Sequence, residues 1–239
     1  MLRAGKMEEI ADELKKYNIH ITALQEVRWA QDGWIKKQNY TLLYSRPKTS
    51  KGQYGTGFII TGCATQCILG FTPINERMCK LRIREKFYNM TIISRYAPTE
   101  DENKRNDEDV KRFYIKLSDV CDILVTPRND ALILLGDFNA KIGKEHSNKR
   151  VAGRHTLYDI TSENGEKSVQ LAIAHNLEIS STKFQHRRIH KGTCKALGQD
   201  ICNQIEHVLI NKRRASMITD VRTLRGPNCD SEHYLVRIK

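Results

Sequence analysis

No Cys-x-x-Cys pair occurs in the 239 residues, although seven cysteines are present, at positions 63, 67, 79, 121, 194, 202 and 229. An odd count without paired spacing does not fit a structural zinc motif or a secreted disulfide framework. Reduced thiols in a cytosolic or nuclear chain are the simplest expectation. No apolar run approaches the ~20 residues that span a bilayer. The N-terminus, Met1-Leu2-Arg3-Ala4-Gly5-Lys6, leads into a charged amphipathic stretch, so no signal peptide is expected. Internal repeats, low-complexity tracts and an interdomain linker are also missing. One domain over residues 1–239 is the economical expectation.

What the chain does have is enough apolar sequence for a core: 39% of residues are hydrophobic and 28% are charged, which argues against wholesale disorder. Forty Lys and Arg against 28 Asp and Glu leave a net charge of +12, a balance that favours a polyanionic partner such as nucleic acid.

Residues Met7–Tyr17 carry Ile10, Ala11 and Leu14 at helical spacing. Ile19–Glu26, Tyr40–Tyr44, Phe58–Ile60 and Leu177–Ile179 read as strands. Met78–Ile83 and Phe87–Tyr96 read as a hairpin around Arg84-Glu85-Lys86. Lys51–Gly57 reads as a glycine-spaced turn and Pro98–Asp109 as a charged loop. Val110–Val120 reads as a helix, with Phe113, Ile115 and Leu117 among its apolar residues. Residues 143–165 read as a long polar loop, Val169–His175 as a short helix, and 182–203 as basic and irregular. Gln204–Ile210 and Tyr234–Ile238 close the chain as strands. Many strands with interspersed helices indicate an α/β sandwich with mixed sheets rather than a regular βαβ wind.

The apolar run Ala131–Leu135 ends in Gly136-Asp137-Phe138-Asn139. A strand buried on both faces that ends in a carboxylate and a carboxamide is costly unless those groups have partners or work. Strand alternation predicts that Asp137 and Asn139 share a face, where they suit a hard cation and a phosphate. Further polar groups stand at Gln25-Glu26, Tyr96, Glu206-His207 and Glu232-His233. Phosphodiester hydrolysis needs a cation, an activated water and a proton donor or oriented base. Glu26 suits the cation, Asp137 and Asn139 suit water and phosphate, and His233 suits proton transfer with an acid on its second ring nitrogen.

The ordered motifs Gln25-Glu26, Tyr96-Ala97-Pro98-Thr99, Leu135-Gly136-Asp137-Phe138-Asn139 and Ser231-Glu232-His233 resemble the endonuclease/exonuclease/phosphatase superfamily, the group of DNase I, exonuclease III and the apurinic endonucleases. Ala23–Trp29, Gly55-Thr56-Gly57-Phe58 and Asn203–Leu209 resemble the endonuclease domains of non-long-terminal-repeat retrotransposons and the craniofacial development protein 2-like proteins. The resemblance implies a DNase I-like four-layer α/β sandwich with two mixed sheets, and Mg²⁺-dependent hydrolysis of phosphodiesters, with Mn²⁺ as a substitute ion. By position it implies Glu26 and Glu232 as metal ligands and Tyr96 as a phosphate contact. Asp137 corresponds to the residue that activates water, Asn139 to its partner, His233 to the histidine at the scissile phosphate, and Glu206 to the acid that orients it. DNA is the implied partner, gripped by basic loops that here contain Arg187, Arg188, Lys191, Lys212 and Arg213. No membrane or obligate protein partner is expected, and a nuclear location is expected from the DNA reading alone.

The chain departs from the family pattern in four places. Positions 206 and 232 are Glu where the family has Asp, and the extra methylene moves each carboxylate by ~1.5 Å. The family's first strand, with its Asn, is expected to be missing, which would leave a sheet edge exposed. Thr193-Cys194 stands where relatives have Thr-Trp. Three activities therefore remain open: a Mg²⁺-dependent DNA endonuclease, a nucleic-acid-binding or scaffold derivative without turnover, and a phosphomonoesterase.

Overall fold

The computed structural model describes residues 5–29, 32–45, 54–100, 107–123, 130–195, 202–227 and 231–239. They fall into two units. The first is Met1–Tyr96, Arg128–Gly136 and Pro227–Asp230, and the second is Ala97–Pro127, Asp137–Gly226 and Ser231–Lys239.

In the first unit, helix α1 (Lys6–Lys16) buries Met7, Ile10, Ala11 and Leu14. Its first turn carries Glu8 and Glu9 and its last turn Lys15 and Lys16, charges that complement the helix dipole. Strands β1 (Ile21–Gln25), β2 (Gly33–Lys36), β3 (Tyr40–Tyr44) and β4 (Thr56–Thr61) form an antiparallel sheet in the order β1-β4-β3-β2. Strand β1 is an edge of that sheet among the described residues. A second set comprises β5 (Ile68–Asn75), β6 (Met78–Arg84), β7 (Asn89–Tyr96) and β8 (Ala131–Asp137), hydrogen-bonded in that order. Leu43, Phe58 and Ile60 of the first sheet meet Cys79, Leu81, Ile83 and Ile92 of the second in one apolar cluster. Fully burying each such side chain contributes roughly 1.5–3 kcal/mol before entropy is counted.

In the second unit, α2 (Asp107–Ile123) buries Phe113, Leu117 and Val120, whereas Ile115 faces solvent. Helix α3 (Glu163–Ala174) packs on α2 and on strand β9 (Leu177–Ile179). The short strands β10 (Cys194–Lys195) and β11 (Cys202–Asn203) pair with each other. Strand β12 (Glu206–Asn211) is buried at every position and pairs antiparallel with β9, while β13 (Val221–Leu224) pairs with β14 (Leu235–Ile238). No helix among the described residues is long and apolar enough to cross a membrane.

The architecture is α/β with mixed sheets, as the sequence predicts. Several local expectations need correction. The loop expected at 143–165 contains a 3-10 turn at His146–Arg150 and the first residues of α3. Helix α3 starts early because the Ser162 hydroxyl accepts from the Gly165 amide and caps it. Strand β5 lacks a clear strand pattern because it contains Gly70 and Pro73, and as an edge strand it tolerates the missing N–H. The basic stretch 182–203 holds a 3-10 turn at Arg188–His190 and both β10 and β11. Part of the turn expected at 51–57 and half of the loop expected at 98–109 lie outside the described residues, and residues 107–109 of that loop begin α2.

Candidate active site

In the first unit, β1 ends at Gln25 and Glu26 takes a left-handed backbone, φ 55°. One Glu26 carboxylate oxygen accepts from the Tyr96 hydroxyl at 2.8 Å, and the other accepts from the Arg28 guanidinium at 2.6 Å. Glu26 and Tyr96, both singled out from the sequence, therefore sit side by side. The Arg77 guanidinium lies 3.8 Å from the centre of the Tyr54 ring and 5.4 Å from that of Tyr96.

The second unit holds Asp137, Asn139, Glu206 and His233. Strand β8 stops at Asp137, so strand alternation does not place Asn139 beside it. A turn does so instead. Asn139 has a left-handed backbone, φ 44°, and its amide donates to Asp137 Oδ1 at 2.8 Å. Asn and Asp favour such turns because their side chains bond the backbone two residues away. The Asn139 carboxamide nitrogen donates to the Ala97 carbonyl at 2.8 Å, which fixes the side chain. Asn164, 1% exposed in the first turn of α3, donates to the carbonyls of Asn139 at 3.1 Å and Pro98 at 2.9 Å.

Glu206 opens β12 and is 8% exposed. One of its carboxylate oxygens accepts a hydrogen bond from His233 Nδ1. The longer Glu side chain thus still reaches the histidine. The backbone amides of Ile205 and Glu206 both donate to the Thr193 hydroxyl, which sets the start of β12. His207, on the opposite face of that strand, is a structural residue bonded to Ser181 Oγ at 2.9 Å and to the Ala140 carbonyl at 2.9 Å.

Ligand atoms of Asp137, Glu206 and His233 all lie within 4.8 Å of one another. Glu206 Oε2 is buried and has no hydrogen-bond partner among the described residues. A buried carboxylate oxygen without a donor is costly, so this position fits a cation or a donor from a bound molecule. Asp137 and Glu206 offer the oxygen ligands that a hard divalent ion prefers. Glu232 is exposed and is not part of this cluster.

Burial opposes protonation of His233. Hydrogen bonds to Cys194 and Glu206 and the negative charges of Glu206 and Asp137 outweigh it and raise the imidazole pKa to about 11. The ring is therefore cationic at neutral pH. A His pKa raised above its unfolded value of ~6.5 adds stability that is complete below that pH and is lost as pH rises through the folded value. The stability difference between the wild type and His233→Gln is accordingly expected to be flat at low pH and to shrink between pH ~6.5 and about 11. Urea melts at several pH values measure it, and a difference that grows with pH contradicts the assignment.

Of the basic candidates, Arg187, Arg188 and Arg213 are exposed, and Lys191 and Lys212 are partly buried. Burial and the like charge of Lys144 lower the Lys191 pKa. Sequence reasoning did not find Asn164 or the supporting role of Thr193. An earlier start for α3 after Ser162 was the available signal for the first, and nothing local marked the second.

Comparison with known proteins places this geometry. Craniofacial development protein 2 of Bos taurus is 27% identical over 238 residues, which are 100% of this chain and 39% of the relative, so the chain spans about two-fifths of that protein. The catalytic domain of Xenopus laevis APE2 superposes with a TM-score of 0.73 at 15% identity, covering 98% of this chain and 87% of that one. The 3' phosphatase NExo from Neisseria, solved with a product DNA hairpin, gives 0.67 at 17% identity, covering 99% and 94%. The endonuclease domain of TRAS1, a telomere-specific non-LTR retrotransposon, gives 0.65 at 13% identity, covering 99% and 94%. These neighbours share the DNase I-like fold. The family model for endonucleases, exonucleases and phosphatases matches residues 2–171, most of the chain, and the chain belongs to the Endonuclease/Exonuclease/phosphatase family.

Proposed function

We propose that the chain is a divalent-metal-dependent endonuclease that hydrolyses DNA phosphodiesters. The observation that carries this reading is the Asp137–Glu206–His233 cluster, its two carboxylates buried and its histidine exposed, with the unpartnered Glu206 oxygen. Asp137 orients and deprotonates the attacking water, and Asn139 N–H holds the Asp137 carboxylate in place. His233, already protonated and held by Glu206, neutralises charge building on the scissile phosphate and supplies a proton to the leaving oxygen. Family membership supports use of a divalent ion, Mg²⁺ by preference, with Mn²⁺ as a substitute. When bound, that ion polarises the phosphoryl group and stabilises developing negative charge. In the second unit Asp137 and Glu206 would hold it. A nuclear location goes with this reading, and imaging of the tagged chain tests it.

A second reading, a DNA-binding derivative without turnover, is favoured by the environment of Glu26. Both of its carboxylate oxygens are engaged, by Tyr96 and by Arg28. Phosphomonoester hydrolysis is the third reading, in keeping with the phosphatase among the structural neighbours. One comparison separates the three: turnover with Mg²⁺ on plasmid DNA and on a small phosphomonoester, beside Asp137→Asn and His233→Ala. Plasmid cleavage lost in both variants supports the endonuclease. Binding without cleavage supports the second reading, and turnover on the monoester alone supports the third.

Arg187, Arg188, Lys191, Lys212 and Arg213 are the proposed contacts to the DNA backbone. Neutralising one true contact, for example Arg188→Gln, is expected to reduce the slope of log binding constant against log salt by about one unit. Fluorescence anisotropy at several salt concentrations measures it, and an unchanged slope removes that residue from the interface.

A further inference from the structure

Arg222 and Arg237 stand directly opposite each other in the antiparallel pair β13–β14, and both strands belong to the second unit. Two positions along, Asp220 and Lys239 exchange both backbone hydrogen bonds, at 3.3 and 2.9 Å. Strand alternation therefore makes 222 and 237 a hydrogen-bonded pair too, with Cα atoms about 5.5 Å apart and side chains on one face. The other face turns Val221 and Thr223 into the interior, where both are buried. The arginine face is half-buried at Arg222, Leu224, Leu235 and Arg237.

Like charges directly opposite each other on a sheet are destabilising, and little here offsets them. The one acid that alternation puts on this face is Asp220. Its Oδ1 lies 2.7 Å from His186 Nε2, and its Oδ2 lies 3.4 Å from Arg222 Nε. Even so, Nε of Arg222 and Nε of Arg237 are both buried without a hydrogen-bond partner among the described residues. Two unmet donors on facing residues call for one shared acceptor. Lys239 adds a third cation to the face.

A phosphate suits that place. It carries enough negative charge to match two guanidinium groups, and it has oxygens to offer each of them. The net charge of +12 favours phosphate-rich partners. Arg237 is four residues beyond His233, no more than ~14 Å along an extended chain, so a nucleic-acid strand at the histidine lies within reach of the pair.

We propose that Arg222 and Arg237 together bind one phosphate group, outside the Asp137–Glu206–His233 cluster. The two side chains turn their N–H groups onto its oxygens, and charge-assisted hydrogen bonds replace two unpaired buried donors. The phosphate is a backbone phosphodiester of bound nucleic acid or a free phosphate ion. Its binding requires no hydrolysis, so it does not depend on the reading above.

The test uses the full chain without a divalent ion. Thermal melts in inorganic phosphate and in chloride at equal ionic strength compare the wild type, Arg222→Gln, Arg237→Gln and Arg84→Gln, the last an exposed arginine at the end of β6. With phosphate at ten times its dissociation constant, the wild type is expected to melt about 3–6 °C higher than in chloride. Arg222→Gln and Arg237→Gln are expected to lose that rise, and Arg84→Gln to keep it. A rise shared by all four proteins is a general salt effect and overturns the proposal, as does a wild type that phosphate does not stabilise. Where a Gln variant folds poorly, Arg237→Lys keeps the charge without the Nε–H and is expected to lose at least about half of the rise.

Fluorescence anisotropy with a duplex oligonucleotide over a salt series then identifies the source. A slope of log binding constant against log salt that falls by about one unit in each variant, and by about one in the double variant, puts a backbone phosphate between the arginines. An unchanged slope beside a lost rise in phosphate makes the ligand a free phosphate ion. A fall of about two units in the double variant means two separate contacts and overturns the shared site. A chain that cleaves nothing removes the hydrolytic reading and leaves these melts to decide this one.

Discussion

Asp137→Asn is expected to lower the rate of Mg²⁺-dependent plasmid cleavage by about 10²–10⁴-fold, the usual contribution of a positioned acid or base. The substitution is isosteric. Its carboxamide oxygen still accepts from the Asn139 amide, now at 2.8 Å from Asp137 Oδ1, so the turn after β8 survives. What goes is the negative charge that orients water, draws a cation and faces the imidazolium of His233. The melting temperature should therefore change by only a few degrees. Cleavage rates from single-turnover time courses, beside a thermal melt of each protein, separate the two effects. A variant that melts like the wild type and cleaves at the wild-type rate contradicts the assignment of Asp137.

Gly136→Ala is expected to destabilise the protein by roughly 3 kcal/mol or more. Gly136 has φ 126°, a backbone conformation that L-residues rarely adopt. A Cβ there would collide with the Arg95 carbonyl oxygen and come within 2.9 Å of Gln25 Nε2. The colliding group is backbone in the middle of packed strands, and Arg95 itself is fully buried, so little can move aside. A lower urea midpoint with an unchanged slope measures the loss. A shift below about 1 kcal/mol would mean that the strand end relaxes, and that the backbone at Gly136 is not needed to aim Asp137.

Much of the fold was legible. The apolar strands β4, β6, β7, β8 and β12 lie where alternation or unbroken apolar runs put them, because strands of a buried sheet must carry that pattern. Strand β5 was not legible: Gly70 and Pro73 erase the local signal, and only pairing with β6 makes it a strand. Helix α3 was read too short because Asn164 and Gly165 are weak helix formers whose place is set by the Ser162 cap and by contacts distant in sequence.

The site was legible in part, and for mixed reasons. Asp137 was marked by its place at the end of an apolar strand. Asn139 was correctly paired with Asp137 on the wrong ground, since a turn and not strand alternation joins them. Glu206 and His233 are 27 residues apart, and no local pattern links them. The ordered resemblance to a family brought them together on paper, and the His233–Glu206 hydrogen bond is the physical counterpart. The extra methylene at 206 does not prevent that bond. Glu232 rested on the resemblance alone; its side chain is exposed and outside the cluster, while its backbone carbonyl anchors Lys195. The Cys194–His233 pair depends on a single long-range bridge and leaves no trace in either local sequence.

The central claim is that this chain hydrolyses DNA phosphodiesters with a divalent ion. Incubating the wild-type chain with supercoiled plasmid, with Mg²⁺ and with a chelator in its place, tests it most directly. The account predicts open circles that accumulate with time only when Mg²⁺ is present. Plasmid that stays supercoiled at every concentration of Mg²⁺ and Mn²⁺, from a chain that is folded and binds DNA, would contradict it.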